Sequence, residues 1–249
     1  MRLYRHELRG QSLLYTRSRE LAFFTFLFPL ILFLLLGSAY GDEEIEGIRG
    51  SDFLMAGTLG FGAVATAFGG LAIVLVLRRE EGILKRLRAT PLPSVDYIAA
   101  VLSTTMLAFL IQAVVTIAIA MLAFGASFPD RPVSLVAALV LGVAAFAALG
   151  VAITGFIRRA EGASAVVNAI YFPILFISGS FFSQGSFPTI LERAANVLPV
   201  SHFIQLVQAI CVRDESIWEH PTDVAVIAAW GLAGAVVAVR TFRWTPTEG

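Results

Sequence analysis

Six stretches of this chain contain no charged side chain: 21–41, 53–77, 97–129, 132–157, 162–191 and 224–239. Lipid offers no hydrogen-bond partner to a backbone, so a crossing segment must satisfy its own N–H and C=O groups, as a helix does. A helical crossing takes about 20 residues. The pattern predicts an all-α polytopic membrane protein, one domain over 1–249 with six transmembrane helices. Composition agrees. The chain is 57% hydrophobic and 14% charged, with a mean hydropathy of +0.81, whereas soluble domains carry about 25% charged residues.

The stretches differ in character. The first holds Pro29, which predicts a kink, and Gly37-Ser38-Ala39, which resembles a signal-peptidase site; its full span length favours an uncleaved helix. The second repeats Gly62, Thr66 and Gly70 every four residues, a pattern that permits close helix contact. The third, 33 residues long, exceeds one crossing, so it is tilted or begins at the interface. The fifth reads as a span up to Phe182, with Pro173 inside it. Turn residues follow at 183–186, and the polar Glu192, Arg193, Asn196, His202, Gln205 and Gln208 then alternate with apolar ones. Two short helices broken at Leu198-Pro199 fit 183–212 better than a span, as re-entrant helices buried in protein. In the sixth, Gly231 and Ala235, and Gly234 and Ala238, are small pairs at four-residue spacing.

Six crossings put both termini on one side. Of the 18 Lys and Arg, 14 fall in the N-terminal segment, 78–96, 158–161 and the C-terminal segment, and 4 fall elsewhere. The positive-inside rule makes the basic side cytoplasmic, with the acidic 42–52 loop and the 183–212 helices outside. Segment 1–20 holds Arg2, Arg5, Arg9, Arg17 and Arg19, with Tyr4, Leu8 and Tyr15 able to share a helical face. It reads either as an amphipathic helix on the membrane surface or as a disordered basic tail.

Several function classes are disfavoured. A single cysteine, Cys211, forms no intrachain disulfide or cysteine metal cluster, and His6, His202 and His220 show no metal-ligand spacing. No P-loop motif occurs, and zero net charge gives no general attraction to nucleic acid. Ion-driven carriers need ionisable groups inside the membrane, and the six stretches have none. Gln112 and Asn168 are expected to be interhelical hydrogen-bonders. Energy for any pumping must therefore arrive from outside the bilayer.

The segment 78–93 is the place for it to arrive. Glu80 and Glu81 precede Lys85, Arg86 and Arg88, the order a short helix favours. Glu81 and Lys85 are four apart; Ile83, Leu84 and Leu87 share a face; Pro91 ends the helix. This is either a topology signal resting on headgroups or a docking helix for a soluble partner. Here 79–91 resembles the R-E-x-G-T-L-x-R-L-x-x-x-P coupling loop of the type-two permease family of ATP-binding-cassette transporters, whose members include daunorubicin-resistance and nodulation exporters. Ile83 stands where that pattern usually has Thr. The run 173–182, P-I-L-F-I-S-G-S-F-F, continuing through Phe187-Pro188 to Leu198-Pro199, is similar to the family's fifth span and external re-entrant helices.

The resemblance implies a non-catalytic permease subunit of an exporter in a prokaryotic cytoplasmic membrane. It would pair with a second permease subunit, identical or not, and with two cytoplasmic P-loop ATPase subunits that bind ATP and Mg. The substrate would be an amphiphile: a drug, a lipid or a lipid-linked glycan. Glu80, Glu81, Gly82, Ile83, Leu84, Lys85, Arg86, Leu87 and Arg88 would couple to the ATPase. Pro173, Gly179, Phe181, Phe182, Pro188 and Pro199 would form the re-entrant gate. The alternative from another class is a membrane-embedded serine hydrolase using Ser180 and His202; Ser201 and His202, being adjacent, point apart on a helix.

Overall fold

A computed structural model of the chain describes residues 2–17, 23–45, 47–126, 128–178 and 188–245. Helix α1 (Arg2–Arg17) precedes a π-helical turn, Phe23–Leu27, that runs into α2 (Phe28–Tyr40). Pro29 sits in the first turn of α2, directly after the widened π turn, so the expected distortion lies just before the proline. A two-stranded antiparallel hairpin, β1 (Glu44–Ile45) and β2 (Ile48–Arg49), turns at Gly47, whose φ is +75°. Helix α3 (Gly50–Glu80) follows, with a π segment at Val64–Gly70. Then come α4 (Ile83–Arg88), α5 (Ser94–Phe124), α6 (Pro132–Thr154), α7 (Ala163–Ile177), α8 (Thr189–Ala195), α9 (Pro199–Val212) and α10 (Pro221–Thr241).

Among the described residues, four helices (α3, α5, α6 and α10) are long and apolar enough to cross a membrane. The bent pair α8 and α9 meets at 79°, and α2 and α7 are shorter apolar helices. The chain is a multi-pass membrane protein. Pro199 opens α9 at the position where a missing N–H costs least, and Leu198 before it is extended. That local chemistry sets the break between α8 and α9.

Helix α3 is the axis of the bundle: 72% of its most apolar window is buried, against 17% for α10. Lipid tails are as apolar as leucine, so helices associate in a membrane through close packing rather than the hydrophobic effect. Small residues provide it here. A Cβ on Gly150 of α6 would lie 2.6 Å from the Ala67 carbonyl oxygen of the α3 π segment. One on Gly142 would meet the Phe203 ring of α9 at 2.3 Å, and one on Gly60 would meet Ile204 at 2.5 Å. Gly231 and Gly234 of α10 abut Ala145 and the Leu149 backbone of α6. Among the described residues the α10–α6 contact is the most extensive.

Helix α1 packs on α5 rather than lying free: the Tyr4 hydroxyl donates to Ser103 Oγ at 2.8 Å. Its Gln11 is buried and donates to Glu7 at 2.6 Å, while Leu3, Leu13 and Leu14 stay exposed. The side chain of Tyr15 lies outside the described residues. Gln112 corrects an expectation. Its amide is fully buried against Gly62 of α3, and neither Nε2 nor Oε1 has a hydrogen-bond partner, so it is no interhelical bridge.

Candidate functional site

The α1 helix, the 78–93 segment, the 155–162 turn and the C-terminal residues gather at one end of the bundle. Arg78 donates to the Tyr97 hydroxyl at 3.0 Å. The Tyr97 ring lies 6.2 Å from that of Trp244, which meets Phe242 edge-on at 5.2 Å. Gly155 abuts Thr241.

Within this end, the acids do not open a short helix as their order suggests. Helix α3 continues through Arg78 and Arg79, cations that suit a helix C-terminus, and closes at Glu80 and Glu81. The chain reverses at Gly82, whose φ of +71° favours glycine. Only then does α4 form, so Glu81 caps α3 while Lys85 lies in α4, and their spacing is no longer one helical turn. Helix α4 ends at Arg88; the Thr90 hydroxyl donates to the Leu87 carbonyl at 2.6 Å, and Pro91 and Pro93 prevent continuation.

The apolar face of α4 also differs from expectation. Leu84 is fully buried within the chain and Leu87 packs against the same core, so both hold α4 down. What α4 displays is Ile83, 37% exposed, with Lys85, Arg86 and Arg88.

Arg79 is the residue whose role spacing misses. Only 3% exposed, it sends its guanidinium across to the end of α6, donating from Nη1 to the Thr154 carbonyl at 2.8 Å and from Nη2 to that of Ile157. The last carbonyls of a helix lack intrahelical partners, and a cation there is favoured by the helix dipole. Next to it, the Glu80 carboxylate accepts the backbone N–H of Ala160.

Two apolar cavities flank α7. One, of about 310 Å³, is lined by Val64 and Phe68 of α3, Phe146 and Ile153 of α6, Tyr171 and Ile174 of α7, Pro199 of α9 and Trp230 of α10. From Phe146 to Ile153 it follows α6 for about 10 Å, at 1.5 Å per residue. The Trp230 indole N–H donates to the Val197 carbonyl at 2.9 Å, tying α10 to the α8–α9 break. The other, about 240 Å³, lies among Phe28, Leu32 and Leu36 of α2, Phe61 of α3 and Phe172, Leu175 and Phe176 of α7.

Of the expected gate residues, Pro173 is exposed inside α7, the Pro188 carbonyl accepts from Leu191 at the start of α8, and Pro199 is buried beside the larger cavity. Gly179, Phe181 and Phe182, with Ser180, lie outside the described residues. Asn168 is half-buried.

Opposite the basic end sits a cluster that the sequence scatters. Asp223 holds His202 Nδ1 at 2.6 Å and His220 Nδ1 at 3.4 Å, while Glu215 holds His220 Nε2 at 2.7 Å and Arg213 Nε at 3.1 Å. Hydrogen bonds from Arg213 and then His220 hold the Glu215 carboxyl below its ordinary range. The other His202 nitrogen, Nε2, faces the Asn196 carbonyl at 2.9 Å, so both ring nitrogens are engaged and neither is offered to a serine. The Ser201 hydroxyl is buried without a partner. Among the described residues no group of three or more His, Cys, Asp or Glu could hold a metal ion.

Residues 3–212 match the family model described as ABC-2 type transporter. The chain belongs to the ABC-2 type transporter family. No curated protein matches it. As an ABC-2 membrane domain, it is a transport subunit that works with an ATP-binding-cassette ATPase. Nothing in the geometry around His202 supports hydrolytic chemistry.

Proposed function

We propose that this ABC-2 permease subunit is half of the membrane part of an ATP-driven exporter. Two permease subunits, identical or sibling, join two cytoplasmic P-loop ATPases, which bind ATP and Mg while this chain does no chemistry. All six apolar stretches cross a prokaryotic cytoplasmic membrane, with both termini and α4 inside and the acidic hairpin and the re-entrant α8–α9 pair outside. Helix α1 rests in the membrane interface, its exposed leucines facing lipid.

The observation that carries the reading is α4. It is fastened to its own chain by Leu84 and presents Ile83 and three basic side chains outward, as a rigid docking helix should. ATP-driven closure of the ATPase pair pushes on α4 and through it on the spans. The larger cavity takes the apolar part of an amphiphilic substrate, a drug, lipid or lipid-linked glycan. Its lining is almost wholly apolar, with no charged side chain.

The test is reconstitution of the permease with its cognate ATPase in vesicles and measurement of ATP-dependent movement of a fluorescent lipid or amphiphilic dye. Outward movement abolished by an ATPase-dead partner is expected; ATP-independent movement, or none with any amphiphile, would overturn the reading. Sidedness is checked in a Cys211→Ser background. A cysteine replacing Glu44 should label from outside and one replacing Lys85 only after permeabilisation. The reverse pattern would remove α4 from the cytoplasm.

A further inference from the structure

We propose that Arg79 and Glu80 act as a clamp that makes the 78–93 and 155–162 segments one moving body, so that a push on α4 reaches α6 and α7 as well as α3. The role depends on α4 being the ATPase contact, as proposed above. Three bonds make the clamp: Arg79 to the carbonyls of Thr154 and Ile157, and the Ala160 N–H to Glu80. Together they span the whole turn from the last residue of α6 toward the start of α7. Arg79 and Glu80 are the last two residues of α3, one residue before the Gly82 reversal is set up by Glu81.

Without them, α4 would connect to the rest of the bundle through its chain neighbours α3 and α5 and through the packing of Leu84, Leu87 and Leu92. Among the described residues, the 155–162 turn, whose Arg158, Arg159 and Glu161 are exposed, would then have no polar tie to it. The Arg79 guanidinium is shielded from water, so solvent does not replace its bonds readily when they break. A planar fork reaches two carbonyls at once, which a lysine ammonium does not reproduce in the same geometry. Arg79 and Glu80 are therefore positioning residues: the bonds assigned to them run to the chain's own backbone.

The experiment has two arms. In the first, the full-length permease carries Cys211→Ser with spin labels on cysteines replacing Arg86 and Arg159. The distance distribution between the labels should be narrow in the parent and broaden in Arg79→Gln and in Glu80→Ala, with Arg79→Lys intermediate. The Glu80 side chain is exposed, so Glu80→Ala keeps the test available if Arg79→Gln misfolds. An unchanged distribution in the folded variants would overturn the clamp whatever the ATPase does. In the second arm, with the cognate ATPase and a fluorescent lipid, Arg79→Gln, a change at a buried residue, should retain ATPase capture within twofold. The ATP hydrolysed per lipid moved should rise at least tenfold, with partial rescue by Arg79→Lys. An unchanged ratio would overturn the coupling role. If the parent captures no ATPase, the exporter reading fails, and the first arm still judges the clamp.

Discussion

Leu84 and Ile83 are neighbours on α4 with opposite duties, and separating those duties tests the docking surface. Leu84 has no exposed surface. Truncating a fully buried leucine to alanine removes its burial and leaves a cavity, costing about 2–5 kcal/mol. Leu84→Ala should therefore lower the unfolding midpoint of the isolated permease, with no ATPase present. Ile83 is 37% exposed. Full burial of an isoleucine contributes about 1.5–3 kcal/mol, so covering its remaining third against a partner contributes about 0.5–1 kcal/mol. Ile83→Asp forfeits that and sets a carboxylate against the partner, where an unsatisfied polar group costs about 1–3 kcal/mol and a charged one more. At about 1.4 kcal/mol per tenfold, ATPase affinity should fall tenfold or more, with the permease's own midpoint unchanged. The assay pairs thermal unfolding of detergent-purified permease with titration of the labelled ATPase. If Leu84→Ala leaves the midpoint alone yet abolishes ATPase binding, Leu84 belongs to the docking surface and the packing described for α4 is wrong.

Gly150→Ala should destabilise the bundle by about 1–3 kcal/mol, since the new methyl meets backbone that cannot give way; Gly162→Ala, with nothing within 4 Å, should be near neutral, and equal midpoints for the two would contradict the α3–α6 contact. Gln112→Leu should leave stability unchanged or raise it by about 1–3 kcal/mol, because it deletes an unpaired buried amide; a lowered midpoint would mean that the amide is bonded. Glu215 supplies a pH dependence. Its folded pKa is depressed by Arg213 and His220, so its contribution is present above the unfolded carboxylate value and lost as the pH falls through the folded one. The midpoint difference between the parent and Glu215→Gln should thus shrink on acidification below about pH 4; a difference constant from pH 7 to pH 3 would refute the assignment.

Helical content and the break before Pro199 were legible because they depend on local chemistry: absence of charge, span length and a proline that cannot continue a helix. The end of α3 was misread for the opposite reason. Charge order favours starting a helix at Glu80, but a longer helix already in progress needs only three residues beyond Leu77 to reach it, and Gly82 is the position that takes a positive φ cheaply. Leu84 was placed correctly on an apolar face, yet periodicity does not say whether that face meets a partner or its own chain. Arg79 looked like one more loop cation. Its bonds run to residues 75 and 78 positions away, a separation that no local pattern reports. The His202–Asp223 pair was hidden likewise, across 21 positions.

The distribution of close contacts indicates which part of the bundle can move. Glycines bring α6 onto α3, α9 onto α3 and α6, and α10 onto α6, with backbone at the α6–α3 and α10–α6 contacts, the Phe203 ring between α9 and α6, and the Ile204 side chain between α9 and α3. Packed interfaces of that kind resist gradual deformation. Among the described residues helix α7 has no such contact: the nearest approach to it from a glycine, Gly69 to Val167, is an ordinary 3.6 Å. Cavities lie on both of its sides, one bounded by Tyr171 and Ile174 and the other by Phe172 and Phe176. Pro173 also removes one hydrogen bond from its middle. The 155–162 turn therefore joins a closely packed α3–α6–α10 unit on one side to a more loosely seated helix on the other. Rigid bodies transmit displacement and loosely seated ones absorb it, so under the proposed docking of an ATPase at α4, α7 is the helix whose shift would change the shape of the two cavities.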